Sequence, residues 1–291
     1  MKLCDQFIKA LSLIVLATLL GLPSASTALA QSSSSAASGT AADDATEIAK
    51  KLQNPIGDLI SIPFQNNANF GFGPERGTLD VLNIQPVVPF HLNDDWNLIT
   101  RAILPLTWQP QLGPGIDPIF GLGDTLATFF LSPAKPMAGF IWGIGPAINL
   151  PTATDKRLGS NLWGAGPSAV VLRIDGPWVY GALINNVWSF GGQSGPGGNK
   201  YNSFLLQPFA NYNFGDGWYV TTSPIVTANW LADNGQKWTV PVGGGIGKVI
   251  KLFDKLPINL QLAAYYNVVR PDHIGPVWQV RSQLTFVLPS F

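Results

Sequence analysis

Arg101 and Arg281 are cations set among Asn, Gln and Thr at alternate positions of otherwise apolar stretches. A guanidinium in such a place can select anions or face the π cloud of an aromatic solute. Other groups able to carry chemistry are few. His91 and His273, the only histidines, lie far apart and read as ordinary rim residues rather than halves of a metal site or proton relay. No G-x-S-x-G elbow or phosphate loop occurs; GGGIG at 243–247 lacks the Lys-Ser/Thr that would follow and reads as a kinked strand. In GLGD at 121–124, Asp124 could hold a cation or bond a loop, with an Asx turn the ordinary expectation. The single cysteine, Cys4, lies in the leader, so the mature chain has no thiol chemistry. These residues predict no enzyme, no cofactor and no metal.

The elements that must position the polar residues have a measurable length. Trp96 to Trp108, Trp178 to Phe190 and Trp218 to Trp230 each pair two aromatics of equal parity across an alternating run. At about 3.3 Å per residue and a tilt of about 40°, each run projects to roughly 30 Å, close to the apolar band and two aromatic girdles of an outer-membrane barrel. Composition agrees: 12% charged residues against 46% hydrophobic is far from a soluble domain. The mature chain has no apolar run long enough for a helical span, so lipid-facing positions must alternate with polar ones. The formal net charge of zero argues against a nucleic-acid partner.

Hairpins follow at a spacing of about 40 residues, several opened by NDDW, DGPW or GDGW turns. The expectation is an all-β protein, a transmembrane antiparallel up-and-down barrel of about twelve strands. The strands fall near 57–72, 78–91, 96–109, 122–132, 137–150, 161–173, 177–190, 202–213, 217–231, 237–251, 257–270 and 277–288. In nearly every segment the even-numbered residues are apolar, as in Leu260, Leu262 and Tyr266, and are assigned to lipid. The odd set is assigned to the lumen: Gln85, Asn97, Arg101, Gln207, Asn211, Gln261, Asn267, Gln279, Arg281 and Gln283. Eight prolines, Pro86, Pro89, Pro105, Pro146, Pro167, Pro208, Pro224 and Pro241, conflict with continuous ladders. Bulges, helped by Gly143, Gly145, Gly243, Gly245 and Gly247, would accommodate them.

The ends complete the plan. Residues 1–30 read as a signal peptide, with Lys2 and Lys9 before an apolar stretch and Ala28-Leu29-Ala30 before the cut. Residues 31–53 read as a periplasmic linker with a short helix, either a spacer or a plug, and 54–291 as the barrel. Short turns near 92–95, 133–136, 174–176, 214–217 and 252–256 would face the periplasm, and the longer loops near 110–121, 151–160 and 191–201 the outside.

Several stretches, among them NPIGDLISIPFQNN (54–67), LNIQPVVPFHLNDDWNLITR (82–101), GLGD, WGIGPAINLPTAT (142–154), DGWYVTTSPIVTANW (216–230) and AYYNVVRPD (264–272), resemble an outer-membrane transporter family. It is the one grouped with the "MetA pathway of phenol degradation" proteins, some of which carry a neuromedin U label. The resemblance implies a Gram-negative outer-membrane barrel that moves small, including aromatic, compounds, with lipid, the barrel-assembly machinery and solute as partners and no catalytic residues. The LPSF end departs from the usual alternating terminus, because Pro289 interrupts it before Phe291. Three functions follow from the residues: a passive channel for small solutes; a structural or ligand-binding barrel without an open pore; and an enzyme comparable to the twelve-stranded phospholipase. The last would need a His beside a Ser on the lipid face.

Overall fold

The computed structural model describes residues 45–192, 200–252 and 256–288. The segment expected to be a signal peptide (1–30), the part of the expected linker at 31–44, most of the 191–201 loop and residues 253–255 and 289–291 lie outside the described residues. The wall begins with β1 (Ile60–Phe72), β2 (Gly77–Ile84), β3 (Val87–His91), β4 (Trp96–Gln109) and β5 (Ile119–Leu122). It continues through β6 (Thr125–Pro133), β7 (Phe140–Leu150), β8 (Leu162–Asp175), β9 (Trp178–Gly192) and β10 (Asn202–Gly215). It ends with β11 (Trp218–Thr222), β12 (Val226–Asn229), β13 (Trp238–Leu252), β14 (Leu256–Val269) and β15 (Trp278–Leu288). All pairings are antiparallel between neighbours, and β15 pairs β1, closing a barrel of twelve spans. Closure leaves no exposed edge, as a bilayer requires.

Two of the expected strands, 78–91 and 217–231, are each split in two, and the expected 122–132 strand is preceded across a third break by β5, which occupies the end of the segment expected to be loop (110–121). The breaks fall at Gln85-Pro86 between β2 and β3, at Gly123-Asp124 between β5 and β6, and at Ser223-Pro224-Ile225 between β11 and β12. Pro86 and Pro224 lie in these breaks and Pro105 faces the one before β6, Pro241 sits at a bulge, and Pro89 pairs Ile99 in the β3–β4 ladder. Pro146 of β7 faces Pro167 of β8. On their other sides, the β6–β7 ladder lapses between Thr128↔Ala147 and Leu131↔Ile144, and the β8–β9 ladder between Ala165↔Trp188 and Ser168↔Asn185. Pro208 pairs Ala182 and turns its other side to the β11–β12 break. A ring nitrogen with no hydrogen costs nothing where no partner carbonyl is in register.

Close approach at these gaps selects glycine. A methyl group at Gly145 would overlap the Phe129 carbonyl oxygen, and one at Gly166 the Asn186 carbonyl oxygen. Gly247 has a different task from bending the wall, because the ring of Tyr219 occupies the space where its Cβ would be. Tyr219 is 1% exposed. Gly247→Ala is therefore expected to cost about 1–3 kcal/mol through overpacking, read by denaturant unfolding in detergent. Adding Tyr219→Leu should recover part of the loss; an additive double variant would show that the two do not touch.

Parity places side chains as expected in most spans. Ile144, Trp178, Ile184 and Trp188 point outward and are exposed, whereas Asn185, Asn211, Tyr219, Tyr265 and Asn267 point inward and are buried. The even-outward rule fails in β6 and β8. There Thr128, Phe130, Ser168, Val170 and Leu172 are buried, and Leu131 and Val171 are exposed. The register explains the reversal: Arg101 pairs Thr128, and Gly143 pairs Val170, so an odd residue shares its face with an even one across each of these ladders.

The lumen is not uniformly polar. Towards the rim that carries the short turns, Ile56, Val87, Ile99, Phe130, Val170, Leu172, Val179 and Leu183 form an apolar cluster inside the wall. Beside it, residues 45–52 form a short helix whose Ala49 packs on Tyr219 and Val249, with Ile48 and Leu52 flanking. Gln53 and Asn213 exchange amide hydrogen bonds of 2.9 and 3.1 Å, and the Gly217 N–H donates to Thr46 Oγ1 (3.3 Å). This part of the segment read as spacer or plug lies within the barrel end.

Candidate functional site

Inward residues of the polar spans enclose a series of neighbouring spaces that share lining residues. At the long-loop rim a mouth of about 1060 Å³ is lined by Asp124, Leu126, Asn185, Tyr201, Leu205 and Lys237, among others. Leu126, Asn185 and Leu205 are shared with a deeper chamber of about 200 Å³, completed by Ile103, Leu183, Ile225, Thr128 and Arg101. Gln85, Arg101, Leu183 and Gln207 are shared in turn with a space of about 140 Å³ that also meets Arg281. Leu52, Gln53, Asn54 and Pro55, at the end of the helix, line this last space. A side space of about 260 Å³, bounded by Asn67, Asn69, Asn267 and Gln279, shares Thr227 and Thr239 with the mouth.

The ten residues assigned to the lumen from sequence are placed as follows. Gln85, Arg101, Gln207, Asn211, Gln261, Arg281 and Gln283 line the space next to the helix, and Asn267 and Gln279 line the side space. Asn97 lines none of these spaces; it is buried near the short-turn rim, donates to Asp58 Oδ1 (3.5 Å) and lies 2.8 Å from His91 Nδ1. Apolar inward residues were not anticipated: Ile103, Leu126, Leu183, Leu205 and Ile225 give the chamber a greasy wall. Leu126 escaped the parity reading because its span reverses parity.

The two arginines share one space but differ in what they have left to give. Arg281 is 1% exposed. Its Nε donates to Asn67 Oδ1 (3.1 Å), Nη1 to the Ser223 carbonyl (2.8 Å) and Nη2 to Gln279 Oε1 (3.1 Å), and its guanidinium lies 4.8 Å from the centre of the Tyr265 ring. Such a side chain is a strut between β15, β1 and the β11–β12 break. Arg101 has one side-chain partner, the Oε1 of Gln85, to which Nη2 donates. Neither arginine pairs with a carboxylate among the described residues.

Asp124 holds a loop and does not form an Asx turn. Its Oδ2 accepts from the N–H and the hydroxyl of Ser160, both at 2.7 Å, and from Asn149 Nδ2 (3.4 Å), while Oδ1 accepts from the Ala153 N–H (3.4 Å). Thr152 and Thr154 add bonds to Thr125 and Leu122, so the 151–161 connection is fastened over the wall beside the mouth. On that loop Arg157 hydrogen-bonds the half-buried Asp155 and holds its carboxyl below the usual carboxylate range. His273 lines the mouth, far from His91 at the other rim. No group of three or more His, Cys, Asp or Glu suited to a metal occurs among the described residues.

No family profile matches the sequence, and no curated protein is similar to it. Solved structures do match. An outer membrane channel from Pseudomonas putida F1 aligns over 81% of this chain and 97% of that one, with 16% identity and a TM-score of 0.56. The NanC porin aligns over 79% of this chain and 100% of its own, with 8% identity and a TM-score of 0.51. At these identities the likeness is one of fold: a closed twelve-span outer-membrane-type barrel.

Proposed function

We propose that this chain is a channel of the Gram-negative outer membrane that admits small solutes, aromatic or otherwise hydrophobic ones among them, by passive or facilitated diffusion. It would be exported by the signal peptide at 1–30, carry the 31–53 segment on its periplasmic side, and sit in lipid as the 54–291 barrel with help from the assembly machinery. This groups it with the transporter family that its sequence resembles. One observation carries the reading: neighbouring spaces that share lining residues run from the wide mouth to Arg101 and Arg281. The proposed absence of an enzymatic role rests on the histidines. His91 is bonded to Asn97 and His273 is at the mouth, so neither is set beside a serine on the lipid face.

Planar-bilayer recording tests the channel. The wild type should conduct, and Arg101→Gln with Arg281→Gln should move the reversal potential in a salt gradient towards cations, since the fixed lumen charges are removed. Absence of any conductance, or unchanged selectivity in the double variant, would overturn the assignment. The second reading, a ligand-binding barrel without an open pore, is favoured by the helix at 45–52 and the apolar cluster around Ile56 that fill the short-turn end. It expects a wild type that does not conduct.

A further inference from the structure

We infer that the chamber above Arg101 is a binding site for a small organic carboxylate whose apolar body lies against Ile103, Leu126, Leu183, Leu205 and Ile225. The inference rests on the channel reading only for the route by which solute arrives.

Three observations carry it. First, charge in the lumen is unbalanced. Arg101 and Arg281 meet in one space, and Asp124 is the single carboxylate among the residues lining the four spaces described. That carboxylate is already taken by Ser160, Asn149 and Ala153 at the mouth. A buried cation without a counterion is costly, and an entering anion removes the cost. Second, the arginines divide the work. Arg281 is held by Asn67, Ser223, Gln279 and Tyr265, whereas Arg101 has Gln85 as its one side-chain partner among the described residues and lines both the chamber and the space next to the helix. A fork of this kind fits a carboxylate with two parallel bonds. Third, the chamber is of mixed character: Ile103, Leu126, Leu183, Leu205 and Ile225 supply an aliphatic surface beside the amides and hydroxyl of Gln65, Asn83, Gln85, Thr128, Asn185 and Gln207. An inorganic anion would leave that surface wet, and a neutral hydrocarbon would leave the guanidinium unpaired; a carboxylate on an apolar body satisfies both. Lys200 and Lys237 line the mouth with no carboxylate partner among the described residues, which favours the approach of anions.

Isothermal titration of the full mature chain in detergent, with benzoate as the probe, tests the site without requiring conduction. Benzoate should bind at least about tenfold more tightly than benzamide, its neutral isostere, and more tightly than acetate, which has the charge but not the body. Arg101→Gln should remove the preference for benzoate over benzamide. Gln85→Glu keeps the shape of the partner and supplies the missing carboxylate, so it should weaken benzoate at least about tenfold while the barrel stays folded, checked by its gel shift on heating. Equal binding of benzoate and benzamide, or undiminished benzoate binding in Gln85→Glu, overturns the inference. If Arg101→Gln does not fold, the wild-type comparison and Gln85→Glu decide alone. A chain that binds benzoate but never conducts retires the channel and leaves the site standing; one that conducts without binding does the reverse.

Discussion

Leu262→Arg is expected to cost about 2 to 4 kcal/mol of folding free energy in a bilayer, whereas Gln261→Arg, one residue away, should be tolerated far better. Leu262 lies on the outward face of β14, packed with Leu260 and Leu284 and paired across the ladder with Ser282. An arginine there must hold its guanidinium in the hydrocarbon near mid-strand or distort the bilayer to reach water. Gln261 points the other way, accepts a bond from the Tyr219 hydroxyl (3.4 Å) and lines the space next to the helix. Its replacement would add a third cation to a lumen that holds Arg101 and Arg281, so some loss is expected from repulsion, partly screened by the polar lining. Refolding into vesicles with urea titration gives both values. Equal costs, or the reverse order, would show that the faces of β14 have been exchanged.

Removing residues 45–53 is expected to raise single-channel conductance severalfold without unfolding the barrel. The helix touches the wall through Tyr219, Val249, Asn213 and Gly217 and contributes to no ladder. The closing pair β1 and β15 runs from Ile60↔Leu288 to Phe70↔Trp278 and is independent of it. The helix end lines the same space as Arg101 and Arg281, so its departure enlarges that space. A truncated chain that folds, by gel shift, yet conducts no better than the wild type would show that the Ile56 cluster, and not the helix, closes the short-turn end.

Much of this architecture was legible in the chain before any coordinates. The Trp96, Trp178 and Trp218 starts coincide with the first residues of β4, β9 and β11, because aromatic girdles mark the ends of spans. Alternation worked wherever hairpin turns preserved parity between ladders. It failed in β6 and β8, where the neighbouring registers shift odd against even. The prolines resisted because a proline in isolation says only that a donor is missing. That Pro146 faces Pro167, and that Pro208 faces a break, is a property of two strands together. The candidate site was half visible. Arg101 and Arg281 stood out as inward charges, but their unequal partners depend on tertiary contacts: Asn67 lies 214 residues from Arg281, and Gln85 reaches Arg101 across the Pro86 break.

The facing prolines also bear on how the wall assembles. In most antiparallel hairpins a slip of two residues restores every backbone bond and keeps each side chain on its own face, so energy discriminates weakly between the correct alignment and its neighbours. Here such a slip of β7 on β8 would separate Pro146 from Pro167 and set each against a residue whose own N–H and carbonyl expect an ordinary partner. If β7 is the strand that moves, Gly145 also leaves the Phe129 carbonyl of β6 that only a glycine can approach; if β8 moves, Gly166 leaves the Asn186 carbonyl of β9, and a bulkier residue arrives in either case. The gaps thus act as a key cut into both strands, and misaligned hairpins are rejected during insertion at the modest cost of a few ladder bonds in the finished wall.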